Sequence, residues 1–116
     1  MKNILKEKSI DFAAAILEFS DTLKEKKMFE VSNQLIRSAS SIGANIYESE
    51  YAESQNDLLH KLKISEKEAS ETQFWLELCS RSKHIEVPQE LKASLTEIKK
   101  ILGASIVTIK KNLNRH

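Results

Sequence analysis

Three histidines, one cysteine and a few close carboxylates are the residues here whose types could do chemistry, and their spacing decides which chemistry is open to them. Asp57 and His60 form a carboxylate-x-x-His step, the kind that di-iron bundles use twice, with further glutamates on facing helices. The step occurs once, and His84 and His116 lie far along the chain, so a solvated His60 is expected rather than a metal ligand. Cys79 falls on an apolar stripe with neither a histidine nor a helix start beside it in sequence, so it reads as a small hydrophobe rather than a nucleophile. Glu68 and Glu71, at i and i+3, could do acid–base work, hold a metal, or pair with a base across an interface. Glycine-rich phosphate loops and G-x-S-x-G are absent. The expectation is a non-enzyme with no catalytic residue, no cofactor and no metal, a metal-dependent enzyme being the remote alternative. Phe74 and Trp75 suggest base stacking. Neighbours on a helix diverge by about 100°, however, so one at most faces the core, and packing is the better account of both.

The elements that carry these residues are helices. In 116 residues there are two glycines and one proline, too few for a chain of hairpins. Leu5, Phe12, Ile16, Phe19 and Leu23 mark a first helix over about 3–26, with Ile10, Ala13, Ala14 and Leu17 widening its buried stripe. Val31, Leu35, Ala39, Ile42 and Ile46 mark a second from about Phe29 to Tyr47 or Tyr51. A third starts at Ser54, which with Asp57 makes an S-x-x-D start, and runs through Leu58, Leu62, Ser65, Ala69, Thr72, Leu76 and Cys79 to about Lys83. The fourth opens with Pro88 in its first position and continues through Leu91, Leu95, Ile98, Leu102, Ile106, Ile109 and Leu113, with Ile101 and Val107 off that stripe. Short connections predict an all-α, up-down-up-down antiparallel four-helix bundle forming a single domain over 1–116.

One stretch of the second helix is unusual. In RSASSIGA, from Arg37 to Ala44, six of eight residues are small. Gly43 should cost about 1 kcal/mol relative to alanine inside a helix, so another backbone must come close. The third helix has its own small face at Ser65, Ala69 and Thr72. Those two small faces are expected to meet, Ala39 and Gly43 against the third helix.

Charge narrows the function classes. The net charge is +1, far from the basic excess of a dedicated nucleic-acid binder. The distribution is less even: no acid follows Glu97, whereas Lys99, Lys100, Lys110, Lys111 and Arg115 do. An up-down-up-down bundle brings the chain end to the same pole as Lys2, Lys6 and Lys8. Candidate RNA contacts are therefore Lys2, Lys6, Lys8, Lys110, Lys111 and Arg115, opposed by Glu48, Glu50 and Glu53 at that pole; the alternative is internal charge compensation in a structural homo-oligomer that binds no nucleic acid. No segment is long and apolar enough for a membrane span, the start lacks a signal-peptide run, and a lone cysteine suits a reducing compartment; a cytoplasmic protein is expected.

SIGANIYES (Ser41 to Ser49), AESQNDLLHKLKIS (Ala52 to Ser65) and KEASETQFWLEL (Lys67 to Leu78) together resemble the four-helix bundle family of 23S rRNA intervening-sequence proteins. The resemblance runs from about Phe12 to Ile109. Its members are small bacterial proteins, some encoded inside intervening sequences of large-subunit rRNA genes. They are similar to accessory proteins of diversity-generating retroelements, which bind a reverse transcriptase and nucleic acid. The resemblance implies a homopentamer of antiparallel bundles around a central channel, with no catalytic activity, and an RNA or protein partner. The positions matching its motifs are Arg37, Ser41, Gly43, Asn45, Glu48, Glu68, Glu71, Thr72 and Trp75. Tyr47, Ser49 and the turn SKHIEV depart from its pattern, all at ends or surfaces. Arg37, Asn45, Glu48, Glu68 and Glu71 could form a polar network that fixes register between helices or subunits; for Asn45 the network is the favoured reading, and for the glutamates a solvated face is an equal alternative.

Overall fold

The computed structural model describes residues 2–115, with side chains from residue 4 onward. It contains four helices, α1 (Lys2–Glu25), α2 (Phe29–Ser49), α3 (Gln55–Ser80) and α4 (Gln89–Asn114). Each packs against its neighbours in the chain, and α4 closes the square onto α1. The result is an antiparallel up-down-up-down four-helix bundle measuring 52 × 21 × 20 Å. Its core is the set of predicted stripes, with Phe12, Ile16, Leu23, Leu35, Ile42, Leu76, Ile98 and Leu102 almost wholly buried.

Local chemistry explains where each helix stops. Lys27 takes a left-handed conformation (φ 63°). Its N–H donates to the Lys24 carbonyl and that of Met28 to the Leu23 carbonyl, both at 2.9 Å. Those bonds close a Schellman motif, while Met28 returns to pack on the core. Ser54 caps α3 by accepting the Asp57 N–H at 3.0 Å, and the Asp57 carboxylate accepts the Glu53 N–H at 3.1 Å. Pro88 is the capping residue just before α4 rather than its first helical residue. Ile85, buried, and Val87, half-buried, hold the preceding loop down.

Serines form much of what lies between the helices. Ser9, Ser20, Ser32, Ser38 and Ser65 are fully buried. Between α2 and α3, Ser65 donates to the Ile42 carbonyl at 2.9 Å, and Thr72 Oγ1 lies 2.8 Å from Ser38 Oγ. Such bonds require close helices. This is the predicted small-on-small seam, but Gly43 is not in it. A methyl added at Gly43 would meet Ser9 of α1, 3.4 Å from its Oγ and 3.8 Å from its carbonyl oxygen. α2 is thus small on two flanks, one for each neighbour. Ser9 escaped the apolar reading because its hydroxyl turns back to the Lys6 carbonyl at 2.8 Å, leaving a compact side chain for the seam.

A second expectation also needs correction. Ile10, Ala14 and Leu17 do not widen the buried stripe of α1; all three are exposed, Ile10 by 39% and Leu17 by 54%.

Candidate interaction surfaces

The groove between α2 and α3 gathers most of the polar motif residues. α2 contributes Arg37, Ser41 and Asn45 at intervals of four, and α3 contributes Glu68, Glu71 and Trp75 at three and four, so each set lines one flank. Arg37 Nη1 donates to Glu68 at 3.3 Å while Nη2 donates to Glu71. Ser41 donates to Glu68 at 3.2 Å, Asn45 Nδ2 to the Ser41 carbonyl at 2.8 Å, and Trp75 Nε1 to Glu71 at 3.0 Å. The guanidinium and then the indole N–H hold the Glu71 carboxyl below the usual carboxylate range. Both glutamates are thereby committed as hydrogen-bond acceptors, which makes them poor acid–base catalysts.

Arg37 remains 47% and Glu71 38% exposed, so solvent weakens the pair. Arg37→Ala should cost about 1 kcal/mol or less in urea unfolding at neutral pH. The depressed Glu71 contributes stability above its unfolded pKa and loses it as pH falls through the folded one. Parent and variant should therefore converge in stability below the usual carboxylate range.

Two motif residues lie elsewhere. Glu48 pairs with Lys61 at 2.7 Å, outside the network, and Thr72 belongs to the buried α2–α3 seam. Trp75 is half-buried and Phe74 57% exposed, their rings edge to face at 5.0 Å. Cys79 is buried, and burial pushes its thiol pKa up, which suppresses the reactive thiolate. Among the described residues no three His, Cys, Asp or Glu side chains gather as a metal site, and no helix is long and apolar enough to cross a membrane.

The basic pole is divided by ion pairing. Lys6 lies 2.8 Å from Glu50 and over the Tyr47 ring, 4.2 Å from its centroid. Lys8 crosses to Glu97 on α4 at 2.8 Å. Lys110, Lys111 and Arg115 are exposed and make no ion pair with a described residue. The Lys2 side chain lies outside the described residues.

Two further surfaces take shape only in the packed bundle. On the α1–α2 side, Ile10 and Leu17 share a stripe of α1, while Phe29, Ile36 and Tyr47 share one of α2; Ile36 is half-buried and the others exposed. On the α3–α4 side, His60, Lys63, Glu66, Lys67, Ser70 and Lys99 line a shallow depression. The signal for both was present as i, i+3, i+4 and i+7 spacing on the faces turned from the core.

The sequence pattern of 23S rRNA-intervening sequence proteins matches residues 1–104. The chain belongs to that family. It is similar to the crystal structure of a protein of unknown function from the S23 ribosomal protein family of Bacteroides thetaiotaomicron, at 44% identity and a TM-score of 0.85. The match covers 91% of this chain and 98% of that one, so family and bundle are shared along nearly the whole length. Among curated proteins no match was found.

Proposed function

We propose that this family member is a non-enzymatic scaffold, a cyclic homo-oligomer of roughly five bundles whose outer surface contacts RNA. The observation that carries the assembly is the apolar strip on α1 and α2. Single exposed apolar residues are ordinary, but Ile10 and Leu17 beside Phe29, Ile36 and Tyr47 form an aligned set. A closed ring of more than two copies needs two different patches on each protomer. Ile4, one turn before Lys8 on the flank of α1 that meets α4 and 52% exposed, supplies the start of a second one. The RNA half draws support from the exposed cations of α4, a weak site that a ring would repeat and strengthen by avidity. The pentamer number comes from the family resemblance.

Sedimentation velocity on Ile10→Glu/Leu17→Glu tests the assembly. Both side chains already face solvent, so the fold should survive while charge opposes association. A folded variant that sediments as a monomer, beside a parent that sediments as a multimer, is the expected result. An unchanged distribution would remove this strip from the interface.

A further inference from the structure

We infer that the open face between α3 and α4 is a docking surface for the phosphate backbone of RNA. This rests on the RNA reading above but moves the contact from the pole of the bundle to its side.

Two independent observations lead there. The first is charge. Lys63 and Lys67 stand one turn apart on α3, and Lys99 and Lys110 lie on the flank of α4 that faces them. The antiparallel register is fixed where Lys99 Nζ donates to Gln73 Oε1. That partner is a neutral amide, so the charge on Lys99 stays uncompensated. Lys63, Lys67 and Lys110 make no ion pair with any described residue, and Glu66 is the acid lining the depression among them. The neighbouring α4–α1 side has the opposite character, with Asp11, Glu90 and Glu97 grouped around Lys8. A polyanion approaching the bundle is thus drawn to one side and repelled from the other.

The second observation is Gly103. It lies four residues after Lys99 and seven before Lys110, in the middle of α4, where glycine weakens a helix. Unlike Gly43 it has no internal reason to be small, because a methyl added there would find nothing within 4 Å. The open space lies outside the bundle, on the flank shared by the two lysines. A gap in the side-chain layer between cations lets a backbone come closer than flanking side chains would allow. RNA contacted through phosphates fits both features, since the cations neutralise charge without reading sequence.

The test is fluorescence anisotropy of a labelled single-stranded RNA with the full chain, at about 50 and about 200 mM salt. Lys63→Glu/Lys67→Glu should weaken binding at least about tenfold at low salt and flatten the salt dependence, because two phosphate contacts are lost. Gly103→Gln should weaken it several-fold while raising or preserving Tm, a combination that damage to the fold cannot produce. Lys111→Glu/Arg115→Glu, at the pole, should have the smaller effect. If the pole variant carries the loss and the face variants bind like the parent, RNA is bound elsewhere and this inference fails while the RNA reading stands. If the parent does not bind at low salt, both fail. If Lys63→Glu/Lys67→Glu lowers the oligomer mass in light scattering, the face is a contact between copies and the inference is overturned.

Discussion

Ala69→Leu is expected to destabilise the protein by about 3 kcal/mol, the upper end of what overpacking costs. Ala69 is fully buried on α3, four residues after Ser65 and three before Thr72. Ser65 is bonded to the Ile42 carbonyl at 2.9 Å, and Thr72 lies against Ser38 at 2.8 Å. A leucine would have to displace α3 from the helices it packs on, and any shift that parts Ser65 or Thr72 from α2 leaves a buried hydroxyl without a partner, which adds its own penalty. Ala93→Leu, on the exposed side of α4, serves as the control and should move stability by about 0.5 kcal/mol or less. Urea unfolding at one fixed protein concentration separates them, since association also contributes to apparent stability. Equal midpoints for the two variants would mean that the seam has slack.

Gly43→Leu should cost about 2–3 kcal/mol through the other seam, because the branched side chain would run into Ser9 and the α1 backbone behind it. Gly43→Ala should behave differently. Its methyl would sit 3.4 Å from Ser9 Oγ, an ordinary contact, and alanine favours the helix by up to about 1 kcal/mol. The expected order of unfolding midpoints is alanine at or above the parent, with leucine well below. A suppressor at Ser9 links the pair: Ser9→Gly should recover part of the leucine loss, whereas changes at Ala69 should not.

How much of this was legible follows from which residues advertise their environment. Leucine, isoleucine and phenylalanine at helical spacing have one common reason to line up, and the four stripes they mark became the core. The seams were half legible. Ser38, Ser65 and Thr72 were read as small, and they meet as expected; Ser9, Ser20 and Ser32 look polar and were passed over, though all are fully buried. Gly43 was assigned to the wrong neighbour because one glycine says that something comes close without saying from which side. Its place on the α1 flank depends on a helix rotation that only the packed bundle fixes. For Arg37, Asn45, Glu68 and Glu71 the sequence offered a polar network beside a solvated face, and the packed groove selects the network; Glu48 could be separated from it only once Lys61 was seen to face it across the loop. The basic side was hidden by an even total charge, since a net of +1 is silent about which face holds the cations.

Conformation and assembly come together in the exposed apolar strip, which a lone bundle would leave against water at a cost of roughly 25 cal/mol per Å². In the proposed assembly another copy covers that strip. Multi-angle light scattering of the unmodified chain at micromolar concentration measures this directly. It should give roughly five times the protomer mass of 13.2 kDa, maintained on dilution through the micromolar range. A single species at 13.2 kDa would contradict it.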